Sequence, residues 1–193
     1  MSDPLEQALI FILQVPFNVL IVVVMFRLML QYTKADFYNP ISQFTVKLTS
    51  PILVPMRRVI PSIGSIDTAS FVLLFILQLV LLILVTAIKG VSVGTLLMLV
   101  STLASLVDLM LTVYWFAILV VIIASWLSPG NYNPILSVLA SVTQPILKPF
   151  RRVPPIAGMD FSPMLAMMAI IVTQILLIPL IMSLAGPISK PLL

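Results

Sequence analysis

Long apolar stretches and short segments of mixed polarity alternate along this chain. Residues 7–26, 68–88, 109–127 and 161–184 contain no Asp, Glu, Lys or Arg. Each is long enough to cross a bilayer, because a hydrocarbon core about 30 Å thick needs roughly 20 residues of helix rising about 1.5 Å per residue. A fifth uncharged stretch, 90–107, qualifies by length but is softened by Ser92, Gly94, Thr95, Ser101, Thr102 and Ser105. It is either a further span or, if only four spans cross, an extension of the third spanning helix, a re-entrant half-helix or an interfacial segment.

The polar segments between the spans repeat. Tyr38, Asn39, Pro40 and Ile41 return as Tyr132, Asn133, Pro134 and Ile135, and Pro51, Pro55, Arg57, Arg58, Pro61 and Gly64 return as Pro145, Pro149, Arg151, Arg152, Pro155 and Gly158, always 94 positions later. Residues 38–64 laid on 132–158 without a gap give 14 identities in 27. Such self-similarity at one fixed offset marks an internal duplication. The boundary is expected near residue 93, giving a first repeat over 1–93 and a second over 94–193.

Within each copy the apolar positions follow helical spacing. Ile41, Phe44, Leu48 and Ile52 mark one stripe, and Ile135, Val138, Leu139, Val142 and Ile146 mark the other, so each copy predicts a short amphipathic helix at the membrane interface. Pro40 and Pro134 suit a first helical turn, where a missing N–H costs nothing; Pro51 and Pro145 are expected to end the ladder. Asp67 and Asp160 then precede the next spans, in position to cap them or to pair with a nearby Arg.

Charge sets the expected topology. Eight of the ten Lys and Arg residues, Arg27, Lys34, Lys47, Arg57, Arg58, Lys148, Arg151 and Arg152, flank or fill the two repeated segments. Lys and Arg are retained on the cytoplasmic side of short loops. Two spans between the segments put both in the cytoplasm, whereas a crossing by 90–107 would put them on opposite sides. Four spans are therefore expected, with termini outside and a parallel repeat.

Composition agrees with a membrane protein: 61% of residues are hydrophobic and 8% charged, with a mean hydropathy of +1.24, against about a quarter charged in soluble domains. Asp3 and Glu6 stand where a leader would carry positive charge, so no signal peptide is expected. The chain has neither His nor Cys. That removes disulfides, thiol nucleophiles, imidazole bases and the usual zinc and haem ligands, so no cofactor, metal or catalytic residue is expected. No basic tail points to nucleic acid.

The run from Ser125 to Pro163, with its counterpart from Phe37 to Asp67, resembles the YggT (also YlmG) family of bacterial and plastid membrane proteins. The double Pro-x-x-x-Pro-x-Arg-Arg with a following Gly and Asp carries that resemblance. It implies an inner-membrane protein with links to osmotic stress tolerance and ion uptake, to cell division or nucleoid placement, and to cytochrome assembly in plastids. It brings no catalytic residues. The first copy departs from the Asp-x-Ser-Pro pattern, reading Asp67, Thr68, Ala69, Ser70 where the second has Asp160, Phe161, Ser162, Pro163.

The fold expected is thus an all-α membrane protein of two tandem repeats, each of two spans joined by a cytoplasmic interfacial helix and a basic Pro-rich turn. Arg57, Arg58, Arg151 and Arg152 are candidates for binding anionic headgroups or an acidic partner, beside their plain use as topology anchors. Inside the spans, Gln14 and Asn18 share a helix face, and the 94-residue offset matches them to Asp108 and Thr112. An ionisable residue in a membrane helix points to a proton or cation pathway, although Asp108, just before 109, is expected at the edge of its span. Gln78 and Gln174 fall outside that symmetry and suit interhelical hydrogen bonds. The favoured function is a non-enzymatic scaffold or assembly factor with lipid headgroups and a protein partner or second copy as its contacts; the alternative is an ion transporter or channel component.

Overall fold

The computed structural model describes residues 4–64, 67–127, 133–151 and 160–186. Their regular structure is helical: α1 Pro4–Tyr32, α2 Pro40–Val59, α3 Thr68–Ile88, α4 Thr95–Leu127, α5 Pro134–Phe150 and α6 Ser162–Ser183. Four of these helices, α1, α3, α4 over Thr95–Ser125 and α6, are long and apolar enough to cross a membrane. The order of long helix, Asn-Pro-initiated helix and second spanning helix occurs twice.

The fifth apolar stretch resolves into one of its expected placements. From Thr95 onward it is the first half of α4, a continuous helix of 33 residues, about 50 Å long. Two of the hydroxyls that softened the pattern turn inward: Ser101 and Thr102 are buried, and Thr102 Oγ1 donates to Met98 O at 2.8 Å. The turn before it is closed by Gly90 at φ 64°, with Val91 N–H donating to Thr86 O at 3.1 Å. That left-handed C-cap ends α3 and is natural for glycine.

Prolines start α2 and α5 but do not end them, contrary to the expectation of short, proline-framed helices. Asn39 Oδ1 accepts from Ile41 N–H at 3.0 Å and Asn133 Oδ1 from Ile135 N–H at 2.9 Å, so both caps form as the Asn-Pro dipeptide suggests. Yet α2 runs through Pro51 and Pro55, and α5 through Pro145 and Pro149. The carbonyl that Pro51 leaves without a backbone donor is that of Lys47, four residues earlier. Prolines are tolerated inside bundle helices, where neighbouring groups and local adjustments re-satisfy what they free, and the helix continues.

The spans pair as α1 on α3 and α4 on α6, with α3 against α4 joining the pairs. Ile21, Val24, Leu74, Leu81, Val85 and Ile118 form the interior between them. Outward faces stay apolar, with Phe11, Ile12, Met168, Ile175 and Leu180 all exposed. In a bilayer those faces meet lipid, so bundle cohesion rests on close packing and polar contacts rather than on exclusion of water. At one end of the bundle α2 packs on α1 and α3, α5 packs on α4 and α6, and the two touch each other.

Candidate functional site

The basic end of the bundle is built around two arginines that the structure commits to internal work. Arg27, in the last part of α1, is buried at 5% exposure. Its Nη1 donates to Thr49 Oγ1, to Val46 O at 3.2 Å and to Ser50 Oγ at 3.4 Å, clamping α1 to α2. Ser42, Thr45 and Thr49 form the hydroxyl face that α2 buries. Of the three only Thr49 bonds to Arg27; Thr45 Oγ1 donates to Ile41 O at 2.9 Å within its own helix. An apolar stripe draws the eye first in a membrane chain, and Phe44, Leu48 and Ile52 instead face outward.

Arg57, a candidate for headgroup binding, and Asp67, a candidate for helix capping or for pairing with a nearby Arg, form an ion pair with each other. Asp67 is buried, and Ser70 Oγ donates to the same carboxylate oxygen, Oδ2. Arg57 also donates to Gln31 Oε1 at 3.1 Å. Burial pushes the Asp67 carboxyl up, but the hydrogen bonds from Arg57 and Ser70, with the Arg57 charge, outweigh it and hold the group below the ordinary carboxylate range. Asp67 makes no side-chain cap to α3; its oxygens are turned to Arg57 instead.

The second copy is arranged differently. Asp160 is exposed and accepts from Ser162 N–H at 2.8 Å, one residue ahead of the N-cap position, Phe161, which makes no side-chain cap of its own. Hydrogen bonding from Ser162 lowers its carboxyl pKa. Arg151 and Lys148 are exposed and line a hollow of about 430 Å³ with Gln144 and Pro145. Arg152 lies outside the described residues. Arg58 is exposed, and helical geometry sets it with Lys47 along the edge of the Phe44, Leu48 and Ile52 stripe. The two surface helices are joined where Asn39 Nδ2 donates to Pro134 O at 2.7 Å.

The second assembly lies among the spans. Gln14 and Asn18 from α1, Gln78 from α3, Ser101, Ser105, Asp108 and Thr112 from α4, and Gln174 from α6 line one cavity of about 900 Å³. Gln174 Nε2 donates to Asp108 Oδ1 at 3.0 Å and to Thr112 Oγ1 at 3.1 Å. Asp108 is half-buried and lies well inside α4, not at a span edge, because that helix begins at Thr95. The pattern reading had set Gln78 and Gln174 apart from the repeated polar pairs; the packing brings all of them together. The lining offers carboxylate, amide and hydroxyl groups only. Among the described residues there is no cluster of three His, Cys, Asp or Glu that could hold a metal ion.

A family model described as CCB3/YggT matches residues 6–88 and again residues 100–181. The chain is 40% identical over 185 residues to an uncharacterized protein of Pseudomonas aeruginosa, covering 94% of each chain. It is 40% identical over 169 residues to YggT of Escherichia coli strain K12, itself uncharacterized, covering 85% of this chain and 86% of the relative. An uncharacterized Vibrio alginolyticus protein is 38% identical over 156 residues, 79% of this chain and 83% of that one. No solved structure matches the chain.

Proposed function

The chain belongs to the CCB3/YggT family, and we propose that it is a non-enzymatic scaffold or assembly factor of the bacterial inner membrane, acting through the basic, amphipathic face formed by α2 and α5. The two basic segments are cytoplasmic and the termini lie outside, as the distribution of Lys and Arg favours. Its contacts are anionic lipid headgroups, with a partner protein or a second copy of the chain. Osmotic stress tolerance and the organisation of membrane or division machinery are the processes that the family resemblance suggests.

The observation that carries this reading is the orientation of α2. It hides hydroxyls and exposes Phe44, Leu48 and Ile52 at 60%, 47% and 38%, with Lys47 and Arg58 beside them. A helix with an apolar stripe outward and basic residues at its edge fits the boundary between acyl chains and anionic headgroups. Arg57, bound to Asp67, is a strut of this face rather than a contact on it. Arg58 and Arg151, with Lys47 and Lys148, carry the exposed charge. An aspartyl dyad needs two carboxylates and metal-assisted hydrolysis a ligand cluster, whereas the described lining of this cavity carries a single carboxylate.

An ion transporter or channel component is the second reading, and the cavity around Asp108 is the observation that favours it. Growth of a deletion strain on high-osmolarity medium separates the two. The scaffold reading expects rescue by wild type and by Asp108→Asn, and loss of rescue by Arg58→Glu with Arg151→Glu at normal membrane levels. The opposite pattern would replace the scaffold with the transporter.

A further inference from the structure

A carboxylate inside a membrane bundle is costly unless something compensates it. Asp108 receives one amide N–H, from Gln174 at 3.0 Å. Among the described residues that line the cavity there is no Lys or Arg to pair with it. Facing the same space is Gln78, a side chain only 5% exposed. Its amide is not among the sealed, unpartnered polar groups of the described residues; it opens onto the cavity, from a different helix than the acid.

The groups around this space share one chemistry. Asp108, the amide oxygens of Asn18 and Gln78, and the Thr112 hydroxyl are hard oxygen donors, which suit alkali and alkaline-earth cations rather than transition metals. Charge count decides between those two. A single carboxylate is neutralised by one monovalent ion, whereas a divalent ion would leave a net positive charge in the bundle, and Ca²⁺ sites draw on several charged ligands. The volume of about 900 Å³ far exceeds that of a bare ion and leaves room for several waters at about 30 Å³ each. Thr112 and Gln174 also line an adjoining hollow of about 280 Å³ beside Trp115, whose buried indole N–H is unpartnered among the described residues. Water held there would satisfy it.

The repeat explains why the site bears a single charge. Gln14 and Asn18 stand 94 positions before Asp108 and Thr112, and all four residues line the cavity. One half contributes a neutral polar pair and the other a charged one. We propose that this cavity binds a partly hydrated monovalent alkali cation, held by the Asp108 carboxylate with Asn18, Gln78 and Thr112 completing its oxygen shell. The Gln174 amide, which bridges Asp108 and Thr112, gives way when the ion arrives. None of these residues belongs to the basic face, so the site stands or falls separately from the scaffold reading.

Thermal unfolding of the purified full-length chain in detergent tests this, titrated with NaCl or KCl against N-methylglucamine chloride at constant ionic strength, with CaCl2 as the divalent comparison. A saturable rise in Tm with one alkali ion is expected, about 5–10 °C at a hundredfold excess over its Kd. Asp108→Asn, which keeps the side-chain shape, abolishes the rise, whereas Asp160→Asn on the surface preserves it. Gln78→Leu shifts the midpoint to higher ion concentration and supplies the answer should Asp108→Asn not fold. Equal curves in all salts, a rise that survives Asp108→Asn or is unmoved by Gln78→Leu, or a larger rise with calcium would each overturn the proposal.

Discussion

The two helical triplets begin alike and are held together differently. In the first, Arg27 is buried against α2, and the Arg57–Asp67 pair ties the end of α2 to the start of α3. In the second, Val121 stands at the register of Arg27, the α5 stripe of Val138 and Val142 faces inward, and Asp160 is exposed and bonded to Ser162 N–H. Polar chemistry thus sits at the surface end of the first triplet. In the second it has moved to mid-bundle, where Asp108, Thr112 and Gln174 bond to one another. Identical motif residues have taken on different work because their neighbours differ, and the copies should respond differently to the same substitution.

The largest contrast is expected between the matched arginines. Arg57→Ala leaves Asp67 buried with Ser70 as its remaining side-chain donor. Its cost should fall toward the lower end of the about 3–5 kcal/mol typical of breaking a buried pair, because Arg57 is itself 37% exposed. Arg151→Ala should stay within about 0.5 kcal/mol. Chemical unfolding in mixed micelles reads both, and equal losses would erase the contrast. The same pair has an acid limb. The folded Asp67 pKa is lowered, so its contribution is complete above the unfolded carboxylate pKa and drains away as pH falls through the folded one. Arg57→Ala should flatten that limb of a stability–pH curve.

A smaller contrast concerns the caps. Asn39→Ala and Asn133→Ala each lose an N-cap worth about 0.5–2 kcal/mol, but only Asn39 also donates across to Pro134 O. Asn39→Ala should therefore cost about 0.5–1.5 kcal/mol more, and parity between the two would remove the inter-copy bond from the account. The smallest effect is expected inside the bundle. Gln174→Leu should cost about 0.6–1.7 kcal/mol, the range of interhelical hydrogen bonds in membranes, while Gln78→Leu should be neutral or mildly stabilising in buffer free of alkali ions. A larger loss from Gln78→Leu there would mean that its amide is already paired.

Much of the architecture was legible in the chain. Apolar runs located the four candidate spans, and the Asn-Pro dipeptides located the starts of α2 and α5. Local rules failed where tertiary packing intervenes. Pro51 reads as a stop, yet α2, packed on α1 and α3, runs through it to Val59. The inward face of α2 was misleading because hydropathy ranks Phe44 and Leu48 above Ser42 and Thr49, whereas an arginine on α1 demands hydroxyls. The meeting of Arg57 with Asp67 depends on the path of the connecting turn. The convergence of Gln78 and Gln174 on Asp108 depends on the axial register of α3 and α6 against α4, which no periodicity within one helix encodes.

In the proposed function the exposed cations at the basic end form the working surface, apart from both the Arg57 strut and the cavity. Purifying the wild-type protein and the combined Lys47→Glu, Arg58→Glu, Lys148→Glu, Arg151→Glu variant from the same membranes, then weighing retained anionic against zwitterionic phospholipid, tests that most directly. Enrichment of anionic lipid on the wild type, lost in the folded variant and kept in Arg57→Ala and Asp108→Asn, is the expected result. Equal lipid profiles for the wild type and the charge-reversed variant would contradict it.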